Sequence, residues 1–248
     1  MPLMGLHLTV ARQLADDANT DAINRERGAY YLGATTPDIR AMTRRDREET
    51  HFFRLDDFGP QSGVQRMFRE HPALLDPAKL DAATVAFMAG YVSHLVLDED
   101  YISEIYRPFF GVKSDVADDV LANVMDRLLQ MHLDRERRPD AESVSDIRCA
   151  LEAASADVAV EFVARESLRE WHGLQLEFLA RPPQFERMLR RHLTAVGVEG
   201  EDAISDWLEQ NTEKLLRGTL DRIGEERIRE YMNDTQRRAA TAVKEYLS

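Results

Sequence analysis

The chain has 248 residues, of which 44% are hydrophobic and 31% charged, and its net charge is −13. This composition is typical of a soluble globular protein with a sizeable core, and the acidic balance argues against nucleic acid and anionic membrane surfaces as partners. The single cysteine, Cys149, excludes an intrachain disulfide and a cysteine-rich zinc site, so any metal must be bound by His, Asp and Glu.

The start of the chain predicts the compartment. Residues 1–7 lack the basic start, long apolar run and small-residue cleavage site of a signal peptide. The most apolar stretch, residues 82–97, is shorter than a membrane span and carries a histidine near its end. These features predict a cytoplasmic protein without stable membrane insertion.

The first 40 residues predict short helices joined by turns. Apolar side chains recur at helical spacing, with His7 on their apolar face: Leu3, Leu6, Val10 and Leu14. A second helix is expected from about Thr20 to Gly33, where glycine can adopt the left-handed conformation that ends a helix. Pro37 favours an extended residue before it, and Asp38 follows at the exit of this turn, where capping is its simplest role.

A charged segment separates this region from the central helix. Residues 40–49 are dense in charge and are expected to be solvated. They lead into Thr50-His51-Phe52-Phe53, where a histidine directly precedes two aromatic residues. A short helix is predicted from Val64 to Glu70, ending at His71-Pro72.

The longest apolar pattern predicts a buried helix from about residue 80 to 106, which stops at Pro108. Within it, His94 and Asp98 lie four residues apart and therefore on one face. A buried carboxylate is costly unless something pairs with it, and a His and an Asp at this spacing can bind one metal ion together. The simpler alternative is a hydrogen bond between the two side chains.

Beyond residue 110 the sequence predicts amphipathic helices at residues 112–137, 147–179, 201–216 and 220–247, with another after Pro182-Pro183. Residues 140–145 are expected to be a linker, and no strand pattern of useful length occurs. The prediction is one all-α domain over residues 1–248. Residues 1–110 would form a metal-site half and residues 111–248 a helical scaffold half, and a homo-oligomer is left open.

Five candidate metal ligands are each flanked by apolar sequence, which is unusual in so charged a chain: His7, Asp38, His51, His94 and Asp98. Taken singly, each has a simpler structural role, such as a core hydrogen bond or a helix cap. Mixed nitrogen and oxygen ligation suits zinc, and it also suits iron or manganese.

Three short motifs in the order Pro37-Asp38, Thr50-His51-Phe52 and His94-x-x-x-Asp98 resemble the zinc-dependent phospholipase C family. Its superfamily also includes the zinc-dependent single-strand nucleases. The resemblance covers roughly the first 110 residues. It implies an all-helical phosphodiester hydrolase with up to three zinc ions in a cleft.

The resemblance also implies roles for individual residues. One zinc would be bound by Asp38, His51, His94 and Asp98. Asp98 would bridge to a second ion, which His7 would bind. Asp38 would be a ligand and also the candidate catalytic base.

The sequence departs from the family pattern in several places. Family enzymes are secreted, and their processed N-terminal tryptophan binds metal, whereas this chain has no such residue. Glu104 stands where the family has a histidine, and on a straight helix it points away from Asp98. His132 and Glu136 are the other candidates for a further site, although a surface helix explains them more simply. One or two ions are therefore expected.

The predicted function is a metal-dependent phosphoric ester hydrolase that acts through a zinc-activated water on a small phosphoester or a phospholipid. Tyr91 and Tyr101, near the His94 and Asp98 pair, would line the cleft or belong to the core. The alternative is a non-catalytic metal-binding helical protein with a ligand- or partner-binding role. A phosphohydrolase of the adjacent His-Asp type is disfavoured, because the chain contains no His-Asp dipeptide.

Overall fold

Helices make up most of the protein in the computed structural model, which describes residues 2–116, 119–181, 185–195, 197 and 200–248. No strand occurs in these residues, which confirms the predicted all-α class. The helices are α1 (Met4–Ala18), α2 (Asp21–Arg25), α3 (Arg27–Gly33), α4 (Arg40–Thr43), α5 (Glu48–His51), α6 (Gly63–Glu70), α7 (Ala82–Tyr101), α8 (Arg107–Phe109), α9 (Asp119–Glu136), α10 (Ala141–Ala153), α11 (Arg165–Leu179), α12 (Phe185–Ala195), α13 (Glu201–Ile223) and α14 (Glu225–Leu247). Pro182-Pro183, where a break was predicted, lies outside the described residues.

Helix α7 is the centre of the fold. Its N-terminus is capped by Asp81, which accepts a hydrogen bond of 2.9 Å from the backbone N–H of Thr84. The helix is apolar nearly all round, so it is buried on most sides, with α3 and α14 packed along it. It does not continue as a regular helix to Tyr106, because a π-helical turn, Ile102–Tyr106, precedes Pro108, which has no N–H to donate.

Two glycines let α3 and α7 cross closely. A Cβ atom on Gly33 would overlap the carbonyl oxygen of Phe87, and one on Gly90 would overlap the carbonyl oxygen of Tyr30. The predicted left-handed stop at Gly33 is wrong, because this glycine is the last residue of α3 and lacks a positive φ. Its small size serves the contact with α7 instead.

The turn after α3 differs from its prediction. The expected helix over residues 20–33 is divided at Glu26, whose backbone leaves the helical conformation. Residues Thr36–Ile39 form a 3₁₀ turn instead of an extended crossing, and Asp38 caps neither this turn nor α4. The Asp38 carboxylate is therefore available for other contacts.

The C-terminal helices pack onto the first half of the chain, since α14 contacts both α7 and α1. The predicted linker at residues 140–145 is wrong, because Asp140 caps α10 by accepting a 2.7 Å hydrogen bond from the N–H of Ser143. The last two helices are divided at Gly224, with φ of 86°, rather than between residues 216 and 220. No helix in the described part of the chain is long and apolar enough to cross a membrane.

We predict that Gly90→Ala destabilises the protein by about 1–3 kcal/mol, because the added methyl group overlaps the backbone of α3. Gly173→Ala on α11 is the matched control: nothing lies within 4 Å of its Cβ position, and the change is expected to stabilise by roughly 0.5–1 kcal/mol. Urea unfolding of both variants checks the prediction. Equal stability of the two variants would contradict the close crossing of α3 and α7.

Candidate metal centre

The structure brings all five sequence-predicted ligands together beside α7. His7 comes from α1, Asp38 from the 3₁₀ turn, His51 from α5, and His94 and Asp98 from α7. Two sets of ligand atoms each lie within 4.8 Å of one another: His7, His94 and Asp98 in one set, and Asp38, His51 and His94 in the other. This spacing suits ligands arranged around a common ion, since zinc binds His and Asp atoms at about 2.0–2.2 Å.

The Asp98 carboxylate lies at the centre of the cluster, and 2% of its side chain is exposed. Its Oδ1 lies 3.4 Å from His7 Nε2, and its Oδ2 lies 3.0 Å from His51 Nε2 and 2.7 Å from a guanidinium nitrogen of Arg47. Burial alone would raise the pKa of Asp98, but the close approach of His51 and His7 holds it well below its usual range. The side chain is therefore an ionised carboxylate at neutral pH.

His94 presents an unprotonated nitrogen to the cluster. Its Nδ1 lies 2.8 Å from the carbonyl oxygen of Ala34, which can only accept, so Nδ1 carries the proton. Burial, reinforced by the neighbouring His7, lowers the pKa of His94 to about 3, so the ring is neutral at pH 7. The Nε2 lone pair therefore faces Asp98, as a metal ligand requires.

The two other histidines complete this arrangement. The ring of His7 stacks on that of His94, with 3.7 Å between the ring centroids and 6° between the planes. His51 Nδ1 lies 3.1 Å from the hydroxyl of Thr50, which leaves Nε2 directed at the carboxylates.

Four buried atoms at the centre of the cluster lack a hydrogen bond within the described residues: Nε2 of His7, His51 and His94, and Oδ1 of Asp98. Buried polar atoms in native proteins almost always have a partner. Four such atoms converge on one space, three of them imidazole nitrogens and one a carboxylate oxygen, and groups of this kind could hold a metal ion.

Asp38 is the most exposed of the five side chains, at 23%. Its Oδ1 lies 3.6 Å from His51 Nε2. Burial would raise the pKa of Asp38, but the interactions with His51 and His94 outweigh it and lower the pKa to about 2. The cluster therefore meets solvent at an ionised carboxylate.

Arg47 belongs to the site, contrary to the prediction that residues 40–49 are all solvated. Its side chain is 9% exposed and pairs with Asp98, and its second terminal nitrogen donates to the carbonyl of Phe53 at 3.2 Å. The Arg47 carbonyl also accepts a 2.8 Å hydrogen bond from the N–H of His51. The spacing of four residues between Arg47 and His51 was the signal available in the sequence, because it places both on one face of a short helix.

The tyrosines near the cluster are core residues. The Tyr91 hydroxyl donates to the carbonyl of Thr50, and so fixes the turn that carries His51. The Tyr101 hydroxyl donates to Asp126 at 2.6 Å. Both hydroxyls are therefore bonded to groups outside the five candidate ligands, and only that of Tyr91 supports a residue next to one of them.

The candidates for a further metal site lie elsewhere. Glu104 forms an ion pair of 2.6 Å with Arg227 of α14. His132 lines a cavity of about 470 Å³ between α9, α12 and α13, and Glu136 is exposed on the surface. These three residues do not meet at a common point with the five ligands.

No protein-family model, curated protein or solved structure matches this chain. The resemblance to the zinc-dependent phospholipase C family therefore stays a prediction from the motifs. The chemistry of the site follows from its own geometry: three imidazoles, two carboxylates and one guanidinium in a largely buried cluster.

We predict that Tyr91→Phe destabilises the protein by about 1 kcal/mol, because it leaves the buried carbonyl of Thr50 without its donor. Tyr246→Phe is the matched control, since the buried hydroxyl of Tyr246 has no hydrogen-bond partner in the parts of the chain that are described. Chemical denaturation measures both. Equal losses of stability would contradict the role of Tyr91 in fixing the turn before His51.

Proposed function

We propose that the protein is a metal-dependent hydrolase of phosphoric esters, with His7, Asp38, His51, His94 and Asp98 as its metal ligands. The observation that carries the proposal is the convergence of buried, unpaired imidazole and carboxylate atoms on one space. Ligands of this kind suit zinc, which the family resemblance favours, and also iron or manganese. The motif order that resembles zinc-dependent phospholipase C supports the reaction class.

The ligand geometry supports one or two ions. His94 belongs to both three-residue sets, but its Nδ1 is committed to the carbonyl of Ala34, so it offers a single nitrogen. Only one ion at a time can bind that nitrogen. A second ion would therefore be bound only by the other two side chains of its set.

A bound divalent cation would polarise a phosphoryl oxygen of the substrate and lower the pKa of a water molecule in the site. Asp38 has the position and the ionisation to accept the proton of the attacking water, because its carboxylate reaches solvent and stays ionised at neutral pH. With a divalent cation bound, the two carboxylates and the Arg47 guanidinium would leave the centre a net positive charge, which favours an anionic substrate.

A cavity of about 530 Å³ lies beside Arg47, although none of the five proposed ligands lines it. Its lining includes Arg47, Phe53 and Leu55 together with several acidic side chains. The volume lies within the usual range for small-molecule sites. A small phosphoester or a phospholipid head group is the proposed substrate, and the net charge of −13 weighs against nucleic acid.

The second candidate is a non-catalytic metal site, and the depth of the cluster favours it. His7, His51, His94 and Asp98 are each at most 2% exposed. Structural metal sites are closed by protein ligands, whereas catalytic sites keep one position open for water or substrate. A protein that binds metal stoichiometrically but hydrolyses no phosphoester would support this candidate.

We predict that His7→Ala lowers metal affinity at least about 100-fold and abolishes hydrolysis of bis(p-nitrophenyl) phosphate. Because neither ring nitrogen of His7 has a hydrogen-bond partner among the described residues, the change breaks no hydrogen bond of the fold. His132→Ala, in the separate cavity, is the control and is expected to keep both metal and activity. Phosphodiesterase activity that is undiminished in His7→Ala would rule out the proposed role.

Metal removal gives a test that does not depend on the substrate. With the metal ion at about 100 times its Kd, binding stabilises the native state by about 2.7 kcal/mol. For a chain of this size, that free energy corresponds to a rise of roughly 5–10 °C in melting temperature. We therefore expect dialysis against a chelator to lower the melting temperature by that amount, and added Zn²⁺ to restore it. A melting temperature that is the same with and without chelator would contradict the metal centre.

A further inference from the structure

The two oxygens of Asp98 have different surroundings. Oδ2 is held by Arg47 at 2.7 Å and also lies 3.0 Å from His51 Nε2. Oδ1 faces His7 Nε2 at 3.4 Å and has no hydrogen bond within the described chain. One oxygen of the carboxylate is therefore already bound to a cation of the protein, while the other is open.

We infer that Arg47 takes the place of a second metal ion, so that the centre holds one divalent cation and one guanidinium on opposite oxygens of Asp98. The inference rests on the metal-binding part of the proposed function. It goes beyond that function because it explains the number of bound ions by Arg47, a residue that the ligand motifs do not include.

The charge balance of the buried cluster supports this assignment. The cluster contains two carboxylates, Asp38 and Asp98, and one guanidinium, that of Arg47, which lies 2.7 Å from Asp98 Oδ2, so the formal charges of these three groups leave one negative charge. One divalent ion then gives the centre a single positive charge, whereas a second ion would leave three. Repulsion between charges a few ångströms apart is strong where water is largely excluded, so the second ion is disfavoured.

The surrounding contacts keep Arg47 in place. Its guanidinium joins Asp98 to the carbonyl of Phe53, and its backbone carbonyl accepts the N–H of His51. An arginine cannot lose its proton to make room for an ion, and its planar fork suits two acceptors at once. Displacing the side chain would therefore break several contacts in a largely buried place.

The test counts ions per chain. Wild-type protein, Arg47→Met and Arg44→Met are treated with chelator and then titrated with Zn²⁺, and bound metal is measured by elemental analysis after gel filtration. Arg44→Met removes the same charge from an exposed position three residues away. We expect one ion in the wild type and in Arg44→Met, and two ions in Arg47→Met, because the freed Asp98 oxygen completes a set with Asp38 and His51.

Two ions per wild-type chain would overturn the inference, and so would a count of one ion in a folded Arg47→Met variant. If Arg47→Met does not fold, as judged by circular dichroism, Arg47→Gln replaces it. Glutamine also removes the charge but keeps a side-chain N–H donor, and we expect two ions per chain; one ion in a folded Arg47→Gln variant would overturn the inference.

The failures of the two proposals can be distinguished. If no variant and no wild-type sample binds Zn²⁺, the metal centre is wrong and this inference is wrong with it. One ion in the wild type and two in Arg47→Met, without hydrolysis of any phosphoester, would support the inference and contradict only the proposed reaction.

Discussion

A buried negative charge on the central helix organises this protein. Asp98 sits in the most apolar helix of the chain, where an unpaired carboxylate would be strongly destabilising. Its partners come from three other places in the sequence, namely His7 on α1, Arg47 before α5 and His51 on α5. The charge therefore links the N-terminal helix and the residue 47–51 turn to α7, and the same contacts create the cluster of candidate metal ligands.

The rest of the fold holds these side chains in one orientation. The close crossing of α3 and α7 brings the Ala34 carbonyl to His94 and so fixes which ring nitrogen faces the site. The next residue, Thr35, accepts hydrogen bonds from Trp171 at 3.3 Å and from Gln175, both on α11. The C-terminal half thus supports the residues around the cluster without supplying a ligand among its described residues, and supporting contacts of this kind tune metal sites.

The sequence could single out the five candidate side chains because each is conspicuous in its local context, and the structure brings them together. His94 and Asp98 share a helical face, and an imidazole or carboxylate flanked by apolar residues is conspicuous in a chain with 31% charged residues. Arg47 was missed because local charge density indicates a solvated segment, while its burial results from a contact with Asp98, 51 residues away. Gly33 was misread for a similar reason, since both a helix stop and a close helix crossing select glycine, and only the packing of α7 distinguishes them.

The central claim is that His7, His51, His94 and Asp98 surround a bound cation. The most direct measurement is anomalous X-ray diffraction at the zinc edge from crystals grown with Zn²⁺. The account predicts an anomalous peak in the space bounded by the three Nε2 atoms and Oδ1 of Asp98. Ordered water at that position in zinc-containing crystals, without anomalous signal, would contradict it.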